Sequence, residues 1–183
     1  LRQGTWIDMG TGSGAIALAL ADAFPEANII AVDQSSDALA VARQNAQNYG
    51  MEHRIACYQG CWFEPFDIAD TLRDVSLSGM VSNPPYIPTE TLSGLQPEVV
   101  AHEPAAALDG GKDGLEHIRT LAHQAPRYLA PGGLWIVEIM AGQGAAVQQL
   151  LAQTGRYREI QIHLDLAGID RFVMGVRDYN NLG

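Results

Sequence analysis

Short apolar runs alternate along the chain with longer segments in which apolar residues recur every three or four positions. The runs predict β-strands near residues 5–9, 28–33, 55–59, 75–82, 134–139, 157–164 and 171–177, and the longer segments predict helices near 14–24, 36–49, 115–129 and 143–154. This alternation is typical of an α/β fold with a mostly parallel sheet and helices on both faces. Only residues 166–170 separate the last two strands, so these should form an antiparallel hairpin at one side of the sheet.

The second predicted helix has the clearest boundaries. Ser35 or Ser36 can cap its N-terminus, and Gly50 follows its last turn as a stop signal. Four apolar residues line one face of this helix, namely Ala38, Leu39, Ala42 and Ala46.

Composition and charge limit the kind of protein. With 183 residues, 47% of them hydrophobic, the chain can bury one sizeable core, so residues 1–183 should form a single domain, by default a monomer. No apolar run approaches the eighteen or so residues that cross a bilayer, and no signal peptide is present, so we expect a soluble protein. The net charge of −10 disfavours a nucleic-acid substrate, because phosphate binding requires a basic face. The chain enters its first strand almost at Leu1, which indicates a piece of a longer protein.

Cysteine and histidine usage gives no sign of a metal site. Cys57 and Cys61 have the spacing of neither a disulfide framework nor a zinc site, and they fit reduced thiols of a cytoplasmic protein. The five histidines show no metal-ligand spacing. His117 and His123 fall on a predicted helix, where we interpret them as surface or packing residues.

A glycine-rich turn separates the first strand from the first helix. Such a turn lets the backbone approach a ligand closely, and the following helix N-terminus favours negative charge. Its glycines stand at positions 10, 12 and 14, so the third comes one residue too early for a dinucleotide fingerprint, which argues against NAD. Asp33 ends the second strand about twenty residues later, where a carboxylate can bind both ribose hydroxyls. A turn acid before the next helix is the weaker alternative for Asp33.

The tetrapeptide Asn83-Pro84-Pro85-Tyr86, hereafter the Asn-Pro-Pro-Tyr loop, follows the fourth predicted strand. Prolines fix φ and lack N–H donors, so the neighbouring carbonyls stay unpaired, and Asn83 adds a side-chain carbonyl. These acceptors suit a planar NH2 group, either a glutamine amide or the exocyclic amine of a base, with Tyr86 available to stack against it. A Pro-Pro turn with a packed tyrosine is the equal alternative. Residues 83–114 are too long for an idle connection and should be functional.

These motifs together resemble the release-factor glutamine methyltransferases, the HemK/PrmC family. The resemblance covers essentially the whole chain. It rests on residues 8–14, 32–35, 45–46, 60–63, 83–88, 103–104, 108–115, 131–133, 138–139 and 165–171. Met9 and Met140 depart from the family pattern, which usually has Leu and often Gly at these positions; Met140 could narrow the floor of the cofactor site.

The resemblance implies a class I S-adenosylmethionine (SAM)-dependent methyltransferase fold with seven strands, the last antiparallel. It implies N5-methylation of the glutamine in the Gly-Gly-Gln motif of peptide chain release factors. Members of the family carry an N-terminal helical domain that helps to bind the release factor, and this chain resembles the catalytic domain alone. The related ribosomal-protein glutamine methyltransferases, an adenine-N6 nucleic-acid methyltransferase and a SAM-binding module without turnover are the alternatives.

The resemblance also assigns roles to individual residues. Those expected to bind SAM are Gly10, Thr11, Gly12, Ser13 and Gly14 around its methionine part, Asp33 at the ribose, Trp62 beside the adenine, and Asn83. A core tryptophan at a strand end is the alternative for Trp62. Those expected to bind the substrate are Asn83, Pro84, Pro85 and Tyr86, of which Asn83, Pro84 and Tyr86 take the catalytic role. The side-chain oxygen of Asn83 and the carbonyl of Pro84 should accept the two hydrogens of the substrate amide.

Overall fold

The computed structural model describes residues 3–94 and 107–179, and the strands of these ranges form a single sheet. The strands are β1 (Gln3–Met9), β2 (Glu26–Asp33), β3 (Ile55–Gln59), β4 (Leu77–Ser82), β5 (Leu129–Glu138), β6 (Tyr157–Leu164) and β7 (Asp170–Arg177). Their order is β3-β2-β1-β4-β5-β7-β6. Strand β7 is antiparallel to both neighbours, and the remaining pairs are parallel, so the predicted parallel sheet with an antiparallel last strand is confirmed.

Helices connect the strands. They are α1 (Ala15–Ala23), α2 (Ser36–Asn48), α3 (Glu64–Ile68), α4 (Thr89–Leu92), α5 (Glu116–Gln124) and α6 (Gly144–Thr154). The boundaries predicted for α2 are confirmed, because the Ser35 hydroxyl accepts a hydrogen bond from the N–H of Ala38 at 3.2 Å and Gly50 follows with a φ of 67°. Within the two described ranges, no helix is both long and apolar enough to span a bilayer.

The predicted boundary between α5 and β5 is wrong. The sequence pattern places a helix over 115–129 and a strand from 134, whereas α5 ends at Gln124 and β5 begins at Leu129. Pro126 cannot continue an α-helix, and it lies in the short 3-10 turn Ala125–Arg127. The register of β5 against β4 shifts between Leu77 and Gly79, so β5 passes through an irregularity that the sequence pattern hides. The short helices α3 and α4 are also absent from the sequence prediction.

The core has two layers, one on each face of the sheet. Successive residues of β1 point to opposite faces, so Trp6 joins the layer beneath α1 and α2, while Ile7 and Met9 join the layer beneath α5 and α6. Trp6 is 2% exposed and stacks on Phe24 with 5.0 Å between ring centroids. Elements thus pack on both faces of the sheet, as is usual where strands are parallel.

Close approach of the Trp6 ring requires glycine at position 79 of β4. A Cβ atom built on Gly79 would lie 2.3 Å from the ring of Trp6, which is trapped by its stack on Phe24. We expect Gly79→Ala to lower the free energy of unfolding by roughly 1 to 3 kcal/mol, the usual cost of overpacking a core. Urea denaturation measures this change.

Gly94→Ala is the matched control for that substitution. A Cβ atom there would have only an ordinary contact, 3.6 Å from the carbonyl oxygen of Thr91, so we expect a change within about 0.5 kcal/mol. Equal effects of the two substitutions would show that the ring of Trp6 does not limit the space at Gly79.

Candidate active site

A cleft opens at the carboxyl ends of the parallel strands, where the chain order reverses between β1 and β4. Open α/β sheets bind ligands at such a crevice. The residues that line it follow four successive strands and include two from later in the chain: Gly10, Gly12, Val32, Asp33, Gln34, Gly60, Cys61, Trp62, Asn83, Pro85, Ala107 and His117. Of the predicted site residues, the structure therefore brings together Gly10, Gly12, Asp33, Trp62, Asn83 and Pro85.

The glycine-rich turn is pinned against the end of β2. The N–H groups of Gly10 and Thr11 both donate to the carbonyl of Val32, at 2.8 and 2.9 Å. Gly10 and Gly12 have φ values of 72° and 54°, in the left-handed region that favours glycine. A Cβ atom on Gly10 would make only an ordinary contact, 3.6 Å from the Trp62 ring, so the positive φ and not a lack of space favours glycine at this position.

The other three residues of the predicted cofactor turn do not line the cleft. The Thr11 side chain is buried and donates to Asp8, and the carbonyl of Ser13 accepts a hydrogen bond from the Asn45 side chain at 2.9 Å. Gly14 packs against α2, because a Cβ atom there would lie 3.1 Å from the Cβ of Ala42. Cofactor binding by these three residues stays a prediction, and the glycine at position 14 has a packing reason of its own.

Asp33 is fixed in the wall of the cleft by two backbone hydrogen bonds. Its Oδ2 accepts from the N–H of Gly12 at 2.8 Å, and its Oδ1 accepts from the N–H of Ser35 at 2.9 Å. A carboxylate oxygen has two acceptor positions, so each oxygen keeps one for a ligand hydroxyl. This arrangement fits two neighbouring hydroxyls of a ribose. Asp33 thus also serves as a turn acid, and the two interpretations made from the sequence do not exclude each other.

Trp62 and His117 form an aromatic wall of the cleft. Trp62 is half-buried, and its ring lies tilted against that of His117 with 5.3 Å between centroids. The backbone of Trp62 has a φ of 50°, an uncommon value for a bulky residue. His117 is therefore not a plain surface residue. Its Nε2 lies 3.1 Å from the carbonyl oxygen of Asp109 and must be the protonated nitrogen, since that oxygen can only accept.

The Asn-Pro-Pro-Tyr loop carries its four residues into different surroundings. Asn83 is exposed in the cleft, Pro84 is buried, and Pro85 is half-buried at the cleft wall. Tyr86 does not line the cleft; its hydroxyl donates to Oε1 of Glu138 at 3.3 Å. Of the described residues, none donates a hydrogen bond to the Asn83 side chain or to the carbonyl of Pro84. The Asn83 side chain is therefore an acceptor on the cleft lining, whereas the role of the Pro84 carbonyl stays a prediction, because Pro84 is not among the lining residues.

Residues 107–114, hereafter the bracing segment, run alongside the end of the Asn-Pro-Pro-Tyr loop. The N–H of Ile87 donates to the carbonyl of Leu108 at 3.0 Å, and the N–H of Gly110 donates back to the carbonyl of Ile87 at 2.8 Å. A Cβ atom on Gly110 would lie 2.7 Å from the Cα of Tyr86, so glycine permits this close approach. Residues 95–106 of the segment that we expected to be functional lie outside the described residues.

Asp8 is a buried acid that the sequence analysis missed as a site residue. It is 0% exposed, and its Oδ2 accepts from the Thr11 hydroxyl at 2.5 Å and from the N–H of Ala17 at 3.0 Å. Its Oδ1 has no hydrogen-bond partner in the described part of the chain. Burial raises the pKa of Asp8 to about 6, against the lowering effect of these two hydrogen bonds, and the charge of Asp33 raises it further. The sequence did contain a signal for this residue, since an acid near the end of an apolar strand, just before the glycine-rich turn, is a candidate site residue.

The histidine, cysteine and carboxylate side chains of the described residues do not form a metal site. No group of three or more His, Cys, Asp or Glu side chains within residues 3–94 and 107–179 is placed to hold a metal ion. Cys57 and Cys61 are free, and burial raises the pKa of both thiols, with the charge of Glu64 raising that of Cys61 further. Cys61 therefore lines the cleft as a neutral thiol at neutral pH.

The strand order, the glycine-rich turn and the acid at the end of β2 define a Rossmann-like α/β domain of the class I methyltransferase type. Solved structures with this fold include a methyltransferase from Pyrococcus furiosus, with a TM-score of 0.69 and 14% identity over 96% of this chain and 76% of that one. A ribosomal protein L11 methylase from Lactobacillus delbrueckii subsp. bulgaricus has a TM-score of 0.63 and 22% identity over 97% of this chain and 71% of that one. At these identities the likeness shows the fold alone.

Sequence comparison gives the family. Residues 2–171 match the family described as "Methyltransferase domain", and the chain belongs to this family. A release factor glutamine methyltransferase from Synechocystis sp. is 55% identical over 92% of this chain and 55% of that protein. One from Thermosynechococcus vestitus is 51% identical over 94% of this chain and 58% of that protein. These matches confirm the resemblance found in the motifs, and the chain spans just over half the length of these relatives.

The buried carboxyl of Asp8 should make folding stability depend on pH. Burial raises the pKa of Asp8 to about 6 from its ordinary value of 3.8, so between these values the folded protein binds a proton that the unfolded chain does not, and stability falls as pH rises through 6. Between pH 5 and pH 7.5 the loss from this group is roughly 1 to 1.5 kcal/mol. Urea unfolding at these two pH values, in the wild type and in Asp8→Asn, isolates the contribution. The same pH dependence in both proteins would mean that Asp8 does not titrate in this range.

Proposed function

We propose that the chain is the catalytic domain of a SAM-dependent methyltransferase that modifies the N5 nitrogen of the glutamine in the Gly-Gly-Gln motif of peptide chain release factors. Residues 1–183 then act as a single domain. The observation that carries the proposal is that Asn83, first residue of the Asn-Pro-Pro-Tyr loop, lines the same cleft as Asp33 and Gly10. An acceptor for an amide group, Asn83, thus lies in the same cleft as the residues proposed to bind a nucleoside. The relatives with 51% and 55% identity carry the same activity in their names.

SAM fits the cleft on the chemistry of its walls. The Asp33 carboxylate has two acceptor positions left for the ribose hydroxyls, and the Trp62 ring offers an aromatic face to the adenine. The glycines of the turn permit close approach of the methionine part, beside the N-terminus of α1, which favours the carboxylate. When bound, SAM supplies a methyl group on a positively charged sulfur, which keeps the bonding electron pair as the methyl leaves.

The Asn-Pro-Pro-Tyr loop addresses the weakness of an amide nitrogen as a nucleophile, since its lone pair is delocalised into the carbonyl. The Asn83 side-chain oxygen and the Pro84 carbonyl accept the two N–H hydrogens and fix the nitrogen beside the methyl group. The gain comes from proximity and orientation, and from acceptors that stabilise the positive charge that develops on nitrogen. No strong base is needed before attack, because a proton leaves the nitrogen after the new N–C bond has formed.

The surroundings of the site fit a protein substrate in the cytoplasm. A net charge of −10 disfavours a duplex substrate, because binding its phosphates requires a basic face, so we propose a release factor as the partner, no direct nucleic-acid substrate, and a monomeric enzyme. The Tyr86 hydroxyl is hydrogen-bonded to Glu138, which anchors the end of the loop. Contact of Tyr86 with the substrate stays part of the proposal.

The substrate is tested by a methyl-transfer assay with labelled SAM. Purified release factor, ribosomal proteins and duplex DNA are offered separately, and peptide mass spectrometry locates the methyl group. The assay uses the 183-residue chain and a longer version that restores any preceding natural sequence. We expect label on the glutamine of the Gly-Gly-Gln motif. Label on a ribosomal protein or on adenine would keep the cofactor and overturn the substrate, and SAM binding without transfer to any of them would indicate a module without turnover.

The role of Asn83 is tested by substitution. We expect Asn83→Ala to lower kcat at least about a hundredfold, the scale of losing one preorganised hydrogen bond in the transition state, with a smaller effect on the Kd of SAM. Steady-state kinetics and SAM titration measure the two effects. Asn28→Ala is the control, because Asn28 is an exposed asparagine on β2 outside the cleft lining. Turnover of Asn83→Ala within a few-fold of wild type would refute the amide-binding role.

A further inference from the structure

Gln143 is a buried polar residue that the proposed mechanism does not yet use. It is 7% exposed and directly precedes α6, in the turn that leaves the carboxyl end of β5. Burying an amide costs free energy unless its hydrogen bonds are made inside the protein. The partners of the Gln143 amide therefore show what its position achieves.

The Gln143 side chain connects three separate segments. Its Nε2 donates to the carbonyl of Tyr86 at 3.0 Å and to the carbonyl of Gly114 at 3.4 Å, and its Oε1 accepts from the N–H of Met140 at 3.0 Å. The amide has two N–H hydrogens, so both are engaged. The reverse orientation of the amide would set its oxygen against two carbonyls. One side chain thus joins the end of the Asn-Pro-Pro-Tyr loop, the end of the bracing segment and the turn after β5.

The close convergence of these segments depends on a glycine. Gly114 has a φ of 75°, and a Cβ atom built there would lie 2.7 Å from Nε2 of Gln143 and 2.3 Å from the carbonyl oxygen of Tyr86. Any side chain at position 114 would separate the amide from its acceptors. The backbone geometry at Gly114 and the amide at Gln143 therefore form one arrangement.

From this arrangement we infer that Gln143 is a positioning residue for the transfer reaction: it fixes the Asn-Pro-Pro-Tyr loop so that the acceptors at Asn83 and Pro84 face the substrate amide. The inference rests on the proposed function. Gln143 engages the Tyr86 carbonyl, two residues beyond that of Pro84, while Glu138 holds the Tyr86 hydroxyl. Hydrogen bonds therefore fix both the side chain and the backbone of Tyr86, and the two prolines before it have fixed φ angles. The loop thus has little freedom to rotate its acceptors away from the cleft.

Gln143→Glu tests the inference with almost no change of shape. A glutamate keeps an oxygen for the N–H of Met140 and replaces the donor with a charged acceptor facing two carbonyls. We expect kcat for release-factor methylation to fall at least about tenfold, because a small misplacement of reacting groups is costly. We expect the KM for SAM to stay within about threefold, because Gln143 is not among the residues that line the cofactor cleft.

Gln148→Glu is the matched control on the same helix. Gln148 lies on α6, and its Nε2 also donates to a backbone carbonyl, that of Ile160 in β6, at 3.1 Å. This hydrogen bond leads to β6 and not to the Asn-Pro-Pro-Tyr loop, so the substitution measures the cost of placing a carboxylate on α6 against a backbone carbonyl. We expect its kcat to stay within about twofold of wild type. A purely structural role for Gln143 would lower the Tm of Gln143→Glu and leave kcat per folded molecule unchanged.

Hydrogen exchange provides a measurement that does not depend on turnover. The N–H groups of Ile87 and Gly110 bond across the loop and the bracing segment, so losing the amide of Gln143 should speed their exchange at least about tenfold. The N–H of Leu39 in α2, bonded to the carbonyl of the capping residue Ser35, serves as the internal reference and should exchange at its wild-type rate. If Gln143→Glu does not fold, Gln143→Met replaces it, since methionine keeps the volume without a donor.

The outcomes separate the inference from the proposed function. A fall in kcat together with faster exchange at Ile87 and Gly110 supports both. Wild-type transfer to the release factor with unchanged kcat in the variant overturns the inference and keeps the function. If the wild type does not methylate the release factor, the proposed function fails, and with it a role of Gln143 in that reaction. Exchange then decides the remaining part of the inference: faster rates at the two amides support fixing of the loop by Gln143, and unchanged rates refute it.

Discussion

The position of the cleft depends on the parallel pairing of β1 with β2 on one side and with β4 on the other. In these registers Met9 pairs with both Val32 and Ser82, so the three strand ends are level at one edge of the sheet. The Ser82 hydroxyl donates to the carbonyl of Met9 at 2.7 Å in the buried interior, which adds a side-chain bond at the last position of the ladder. Because the chain proceeds in opposite directions on the two sides of β1, the loops after β1 and β4 diverge and leave a crevice. Asp33 and Asn83 reach the same cleft for this reason.

The glycine-rich turn is held by the protein at both ends, and burial of the Asp8 carboxyl at one of these ends opposes stability. The carbonyl of Val32 binds two N–H groups of the turn, while the buried carboxyl of Asp8 binds the Thr11 hydroxyl and the N–H of Ala17. Burying Asp8 with one oxygen unpaired is unfavourable once the group ionises, as its raised pKa indicates. In return, the turn and the first residues of α1 have a defined arrangement before any ligand arrives. Preorganised backbone needs less ordering on binding, which favours affinity.

The sequence predicts well whatever is set by neighbours along the chain. The α2 boundaries follow from Ser35 and Gly50, and the hairpin of β6 and β7 follows from a short connection. Asp33, Trp62 and Asn83 could be predicted as candidates because each stands at or just after the end of a strand, where parallel topology alone brings residues to one edge.

Contacts between distant segments could not be predicted in the same way. Gln143 lies 57 residues from Tyr86 in sequence, and His117 is drawn to the cleft by the fold of α5. No periodicity or local motif marks either of them. At Gly14 the local motif gave an interpretation that the structure does not require. The motif predicts a glycine that binds the cofactor, but packing against Ala42 explains the glycine equally well. The pattern also failed where Pro126 and the β5 irregularity interrupt regular structure.

The sequence left two interpretations of the Asn-Pro-Pro-Tyr loop open: a rigid turn with a packed tyrosine, which the structure shows, and an acceptor set for an NH2 group, which stays a prediction. Tyr86 is packed, with its hydroxyl on Glu138 and its carbonyl on Gln143, while Asn83 stands exposed in the cleft. A carbonyl can serve as a directed acceptor only if the chain that bears it cannot rotate. The prolines restrict rotation before Tyr86, and the packed tyrosine restricts it after them. The structural interpretation of Tyr86 is therefore the physical condition for the functional interpretation of Asn83 and Pro84.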